Sequence, residues 1–84
     1  MSKIKVLLVD DHAVVRMGFK MLINTEVDME VIGEAESGEL GIKSYKELQP
    51  NLVIMDITMP GIGGIEAIDR ILANDKSAKI LVLS

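Results

Sequence analysis

Two apolar segments of strand length, each stopped abruptly by aspartate, constrain the fold of this chain more than any other feature. Residues Ile4–Val9 lead into Asp10 and Asp11, and residues Leu52–Met55 lead into Asp56. Strands that are apolar on both faces are typical of the interior of a parallel sheet, which helices cover on both sides. The two segments therefore predict central parallel strands that end at acidic side chains.

The segments between the strands have the periodicity of helices. A first helix is predicted from His12 to about Glu26 with Asp11 as its N-cap, and a second opens at Ser37–Gly38 and is closed by Pro50. A third helix follows the turn-rich stretch after Met59. The residues expected to face the core are Val15, Phe19, Leu22 and Ile23 in the first helix and Ile65, Ile68, Ile71 and Leu72 in the third.

Two further strands complete the pattern. Residues 29–35 alternate loosely between polar and apolar, as expected near a sheet edge, and Ile80–Leu83 predicts a fourth buried strand. Strands that alternate with helices predict right-handed crossovers and an α/β fold with a doubly wound parallel sheet. Because the fourth strand would have neither a neighbour nor a following helix to cover it, we expect an incomplete domain over residues 1–84.

Composition excludes several classes of function. A chain of 84 residues forms one domain at most, and its net charge of −4 argues against binding nucleic acid through this segment. The apolar run at the N-terminus is too short to span a membrane and unlike a signal peptide. The absence of cysteine fits a reducing compartment, so we expect the protein to be cytoplasmic.

The strand ends predict a site with a specific chemistry. In an open parallel sheet the functional crevice lies outside the carboxyl ends of the strands, where Asp10, Asp11, Asp56 and Ser84 are expected. Carboxylates gathered there repel one another, by about 4 kcal/mol for a pair roughly 4 Å apart at an effective dielectric of about 20. Mg²⁺ prefers such oxygen ligands, and with the charge screened one carboxylate can attack phosphorus to give an aspartyl phosphate.

At these residues the chain resembles the receiver domains of two-component response regulators. The matching motifs are Val9-Asp10-Asp11-His12, Met55-Asp56-Ile57-Thr58-Met59-Pro60-Gly61 and Leu83-Ser84. The Asp-Asp-His and Met-Pro-Gly-Ile-Gly-Gly details look like the NarL/FixJ class and its GacA/UvrY branch. The resemblance implies a flavodoxin-like receiver fold, truncated after the fourth strand, and a signalling protein rather than an enzyme.

The resemblance also implies individual roles. Asp56 would be the phosphoacceptor and Asp11 a direct Mg²⁺ ligand, with Asp10 bound mainly through water. The main-chain carbonyl of Thr58 would supply another ligand, and Ser84 would be the hydroxyl switch residue. A sensor histidine kinase would be the phosphoryl donor, and the parent protein would carry a DNA-binding output domain. The family's lysine after a fifth strand has no counterpart here.

Less specific interpretations stand beside these. Asp10 and Asp11 alone could be a helix cap and a solvated strand end, and His12 is predicted to be solvated or helix-capping without chemistry. A haloacid-dehalogenase-type phosphatase also uses a strand-end aspartate, but Thr58 occupies the position where that chemistry needs a second acid. The remaining alternative is a receiver-like interaction module that works without phosphorylation.

Self-association is a further expectation. An uncovered fourth strand and bare helix faces favour pairing into a homodimer or a strand-exchanged oligomer. A stable monomer at high concentration in sedimentation would contradict this expectation.

Overall fold

The computed structural model describes residues 3–83, which alternate strictly between strand and helix. The strands are β1 (Ile4–Val9), β2 (Met29–Ala35), β3 (Leu52–Asp56) and β4 (Ile80–Leu83). The helices are α1 (Ala13–Asn24), α2 (Gly38–Leu48) and α3 (Gly63–Asn74). Within these residues the strands form one parallel sheet in the order β2-β1-β3-β4, which confirms the predicted doubly wound α/β fold.

The core has a layer on each face of the sheet, because alternate side chains of β1 point in opposite directions. Leu7 and Val9 pack with residues of α2 and α3, whereas Val6 and Leu8 pack with Ile23 of α1. The four β1 residues are at most 2% exposed. Burial of each such side chain contributes about 1.5–3 kcal/mol, which explains why an uninterrupted apolar run forms this central strand.

The predicted N-terminal residue is correct for one helix and wrong for another. The hydroxyl of Ser37 accepts a hydrogen bond from the Leu40 N–H at 3.1 Å, so Ser37 caps α2 as predicted. The prediction that Asp11 caps α1 is wrong. His12 occupies the N-cap position without a capping hydrogen bond from its side chain.

The buried stripe predicted for α3 is also wrong in part. Gly64, Ala67 and Ile71 are the buried residues of this helix, and Ile65 is 62% exposed. Gly64 lies so close to the main chain of Asp56 and Ile57 that a Cβ atom there would overlap it. Small side chains let α3 approach the end of β3, and this approach sets which face of the helix is buried.

Similar corrections apply to α1 and β4. In α1 only Ile23 is buried, and Leu22 is 69% exposed. In β4, Leu81 and Val82 are 52% and 45% exposed, so this edge strand is half-covered rather than buried as predicted. No helix within residues 3–83 is long and apolar enough to cross a membrane.

Candidate functional site

The sheet topology brings two aspartates together at the carboxyl ends of neighbouring strands. The winding direction changes between β1 and β3, where Val9 pairs with Met55. Asp10 follows the first of these residues and Asp56 the second, and the two aspartates are only 7% and 6% exposed. This is the crevice in which open α/β sheets place their functional groups.

His12 completes a cluster with three carboxylates. Its Nδ1 atom lies 2.7 Å from Oδ1 of Asp10, 3.1 Å from Oδ1 of Asp11 and 3.7 Å from Oδ2 of Asp56. The sequence prediction gave His12 no chemistry, although its position directly after two acidic residues was a signal. The structure therefore places Asp10, Asp11 and Asp56 together as predicted, and adds an imidazole.

Thr58 orients the carboxylate of Asp56. Its backbone N–H and its hydroxyl both donate to Oδ1 of Asp56, at 2.9 and 2.8 Å. The N–H of His12 donates in the same way to Oδ1 of Asp10 at 2.8 Å. The two buried carboxylates are thus each fixed by a tight turn that follows their strand.

The charges of the cluster change the pKa values of two members. Burial alone would raise the pKa of Asp56, but the two hydrogen bonds from Thr58, the charge of His12 and contact with Asp10 together lower it. Hydrogen bonding to Asp10 and the charges of Asp11 and Asp10 raise the pKa of His12. Asp56 is therefore anionic at neutral pH, and the protonated form of His12 is favoured.

The donor set fits a hard divalent cation. One ligand atom from each of Asp10, Asp11, His12 and Asp56 lies within 4.8 Å of all the others. Three of these donors are carboxylates, the ligands that Mg²⁺ prefers, and a cation would offset their mutual repulsion. A pocket of about 320 Å³ opens over the cluster, lined by Asp10, His12, Val15, Asp56, Thr58 and Leu83.

Two predicted site features remain predictions. Thr58 contacts Asp56 through its N–H and hydroxyl, whereas the metal-binding role was assigned to its carbonyl. Ser84 lies outside the described residues, although the preceding Leu83 lines the pocket.

The fold and the site define a doubly wound α/β domain with an acidic cluster at its switch point, and comparison with known proteins identifies its family. Residues 6–84 match the model of the response regulator receiver domain. The chain belongs to this receiver-domain family of two-component systems. It is 42% identical over 79 residues to the nitrate/nitrite response regulator protein NarL of Escherichia coli, which covers 94% of this chain and 37% of that protein.

Solved structures agree with this assignment. A LuxR-family two-component response regulator from Aurantimonas sp. superposes with a TM-score of 0.91 at 41% identity, over 96% of this chain and 58% of that one. The CheX–CheY–BeF₃–Mg²⁺ complex from Borrelia burgdorferi gives a TM-score of 0.91 at 29% identity, over 96% of this chain and 61% of that one. The chain thus spans less than two thirds of these relatives.

Proposed function

We propose that this chain is the phosphoacceptor module of a cytoplasmic response regulator, and that Asp56 receives a phosphoryl group from a sensor histidine kinase in a Mg²⁺-dependent reaction. The observation that carries the proposal is the environment of Asp56. Its carboxylate is buried, anionic and held by Thr58 at the end of β3, with Asp10 and Asp11 beside it. An aligned, charged carboxylate facing a pocket is suited to nucleophilic attack on phosphorus.

The two oxygens of Asp56 have different surroundings. Oδ1 accepts both hydrogen bonds from Thr58, whereas Oδ2 faces His12 and the acidic cluster. In the transfer, a carboxylate oxygen forms a bond to phosphorus while the bond from phosphorus to the donor's nitrogen breaks, and the donor histidine keeps that electron pair. The products are an aspartyl phosphate and a neutral imidazole on the kinase, because the other ring nitrogen of the phosphohistidine carries a proton when the bond breaks.

Mg²⁺ would be held by Asp11 and Asp56 directly, by Asp10 mainly through water and by the main-chain carbonyl of Thr58. When bound, it would neutralise charge on the transferred phosphoryl oxygens and on the carboxylates. The similarity to a CheX–CheY complex that contains Mg²⁺ and BeF₃ supports this choice of ion.

Phosphorylation would change the charge at the strand ends and so control an attached output domain. Ser84 would respond to the phosphoryl group through its hydroxyl. Similarity to the transcriptional regulatory protein LiaR of Bacillus subtilis and to RcsB of Salmonella enterica bound to the promoter rprA supports a DNA-binding output domain in the parent protein. The receiver would act as a substrate that assists its own modification rather than as an enzyme with turnover of its own.

The test is the intact mass of the chain after incubation with acetyl phosphate and Mg²⁺. We expect addition of one phosphoryl group to the wild type, none to Asp56→Asn, and none when Mg²⁺ is chelated. Asp69→Asn is the matched control, because Asp69 is an exposed aspartate of α3 and should leave the adduct unchanged.

The same measurement on a longer protein that spans the full length of the receiver relatives separates two outcomes. Modification of the longer protein alone would show that additional residues complete the site. If neither is modified although both are folded, the phosphoacceptor proposal fails and the phosphorylation-independent interaction module takes its place.

A further inference from the structure

Arg16 of α1 contacts both β2 and the acidic turn, which is the segment from Asp10 to His12 after β1. It lies in the first turn of α1, where its guanidinium donates from Nη1 to the main-chain oxygen of Asp10 at 2.5 Å. Its Nε donates to Oε1 of Glu34 in β2 at 3.2 Å. The Arg16 side chain is 16% exposed, whereas its partner Glu34 is 33% exposed, so the guanidinium is mostly covered and the carboxylate reaches the surface.

The contact to Asp10 provides a hydrogen-bond donor for a main-chain carbonyl just after the end of β1. Asp10 is 7% exposed, and its N–H donates to the carbonyl of Ala35 at 3.0 Å, which continues the pairing of β1 with β2. Its carbonyl lies beyond the last paired residue of β1, Val9, and a buried carbonyl needs a donor. Arg16 supplies that donor and thereby fixes the peptide plane between Asp10 and Asp11.

Glu34 holds the guanidinium in place. One carboxylate oxygen of Glu34 accepts from Arg16, and the other lies 3.4 Å from Nζ of Lys20. A planar guanidinium can donate to a carbonyl and a carboxylate at the same time in fixed directions, which a lysine ammonium cannot reproduce. The orientation of the acidic turn therefore depends on an arginine of α1 that contacts both Glu34 in β2 and the carbonyl of Asp10 after β1.

We infer that Arg16 is a positioning residue for the metal and phosphoryl site, because it fixes the main chain from which the carboxylates of Asp10 and Asp11 project toward Asp56. This inference rests on the proposed function. Residues that orient metal ligands from behind commonly change metal affinity by about 10- to 100-fold when they are replaced. If the contacts of Arg16 only stabilised the fold, replacing it would lower stability and leave the Mg²⁺ affinity of the folded protein unchanged.

The test is calorimetric titration of the folded chain with Mg²⁺, and it needs no phosphorylation. We expect Arg16→Ala to raise the Mg²⁺ dissociation constant about tenfold or more. Arg16→Lys keeps the positive charge but loses the planar arrangement of donors, so its Mg²⁺ affinity should lie between those of Arg16→Ala and the wild type. Glu34→Gln keeps the arginine and weakens its anchor, and a smaller rise is expected.

Arg70→Ala is the matched control. Arg70 donates from Nε to Oε2 of Glu66 at 3.1 Å, so it is also an arginine paired with a glutamate, but it lies on α3 and is 53% exposed. The Mg²⁺ affinity of this variant should equal that of the wild type. The phosphorylation rate of Arg16→Ala should fall at low Mg²⁺ concentration and recover as Mg²⁺ saturates.

Unchanged Mg²⁺ affinity in folded Arg16→Ala, within a factor of about two, would overturn the inference. If that variant does not fold, wild-type affinity in both Arg16→Lys and Glu34→Gln would overturn it. Full recovery by Arg16→Lys would also do so, because the effect would then belong to net charge. Failure of Asp56 to accept a phosphoryl group in the wild type would refute the proposed function but leave the Mg²⁺ comparison intact.

Discussion

Thr58 directs both of its donors, the backbone N–H and the hydroxyl, to the same oxygen of Asp56. Oδ1 is therefore engaged on the side of the β3–α3 turn, while Oδ2 faces the acidic cluster. Hydrogen bonds to a carboxylate stabilise its charged form and restrict its rotation. The Asp56–Thr58 pair thus explains how a carboxylate that is 6% exposed stays anionic and oriented.

The first prediction removes one of these bonds. Thr58→Val keeps the shape of the side chain and the backbone donor but loses the hydroxyl, so the pKa of Asp56 should rise toward its ordinary value. Because the native pKa is lowered, Asp56 contributes stability above its unfolded pKa that is lost as pH falls through the native one. The onset of that loss is set by the unfolded pKa and should not change, but in Thr58→Val the loss should be smaller and should be complete at higher pH.

Carboxyl NMR titration of the Mg²⁺-free protein and acid unfolding measure the two effects. Thr58→Ser retains the hydroxyl and is the control, with the wild-type pKa expected. Equal Asp56 titration in all three proteins would show that the hydroxyl has no part in stabilising the carboxylate.

Sequence patterns sufficed for the central strands and for the three aspartates. An apolar run that ends at an acid has few stable locations other than a buried parallel strand, and parallel strands bring their ends together. Asp10, Asp11 and Asp56 could therefore be grouped although 45 positions separate Asp11 from Asp56, as their numbers in the sequence show.

The helix faces could not be predicted as well, for a physical reason. Apolar side chains such as Ile65 and Leu22 satisfy helical periodicity and are nevertheless exposed. In α3, the close contact of Gly64 with the main chain of Asp56 places Ala67 and Ile71 on the buried face and leaves Ile65 in solvent. The spacing of Gly64, Ala67 and Ile71 was an available signal. Arg16 gave none, because its role depends on residues brought near only by the tertiary fold.

The second prediction compares two glycines within helices. A Cβ at Gly64 would overlap the main chain of Asp56 and Ile57, whereas a Cβ at Gly18 in α1 meets nothing within 4 Å. Gly64→Ala should destabilise the protein by about 1–3 kcal/mol because packed main chain must shift. Gly18→Ala should stabilise it by about 0.4–1 kcal/mol through helix propensity and reduced unfolded-state entropy.

Urea unfolding of the two variants beside the wild type measures these changes. Gly64→Ala should also weaken Mg²⁺ binding, since the displaced main chain carries Asp56. Equal stability of the two alanine variants would contradict the close packing of α3 against β3.

The third prediction concerns repulsion in the acidic cluster. Asp11→Asn removes one of three carboxylates that repel one another when no cation is bound. The Asp11 side chain is 30% exposed, so solvent weakens this repulsion. Without Mg²⁺, at a pH where His12 is neutral, this variant should be as stable as the wild type or up to about 1 kcal/mol more stable. With Mg²⁺, the wild type should gain stability through selective binding to the folded state, and Asp11→Asn should gain much less.

Thermal unfolding with and without Mg²⁺ makes this comparison, and Asp28→Asn, which replaces an exposed aspartate outside the cluster, is its control. An equal Mg²⁺-induced shift in Asp11→Asn would show that Asp11 is not a ligand.

The fourth prediction addresses the exposed edge of the sheet. Leu81 is 52% exposed on β4, the strand that ends the order β2-β1-β3-β4 within residues 3–83. Edge strands with exposed apolar residues promote pairing between molecules, and an inserted lysine opposes it. Sedimentation velocity should show concentration-dependent association of the wild type and less of it for Leu81→Lys. Lys79→Arg, which keeps the charge of an exposed neighbour, should associate like the wild type.

The fifth prediction uses the hydrogen bond from Tyr45 to Asp75, which ties α2 to the end of α3. The Tyr45 hydroxyl donates to Oδ2 of Asp75 at 2.6 Å, while Oδ1 accepts from the N–H and hydroxyl of Ser77 at 3.0 and 2.6 Å. Burial, the hydrogen bond to Asp75 and its charge raise the pKa of Tyr45 to about 12. Hydrogen bonds from Ser77 and Tyr45 lower the pKa of Asp75.

These two shifts define the pH range in which the tie stabilises the protein. The raised pKa of Tyr45 gives stability that is complete below the unfolded value of about 10 and is lost as pH rises through about 12. The lowered pKa of Asp75 gives stability that is present above its unfolded value of about 3.9 and is lost as pH falls through the native one. Between these limits Tyr45→Phe should cost about 1 kcal/mol.

Tyr45 is the single tyrosine of the chain and there is no tryptophan, so the ultraviolet absorbance of tyrosinate reports its titration without interference. We expect Asp75→Asn to lower the Tyr45 pKa only in part, because burial is the largest cause of the rise. Ser77→Ala removes a donor from the other oxygen of Asp75 and should leave most of the Tyr45 shift in place. An ordinary tyrosine titration in the folded wild type would show that the hydroxyl is solvated and that α2 and α3 are not tied at this point.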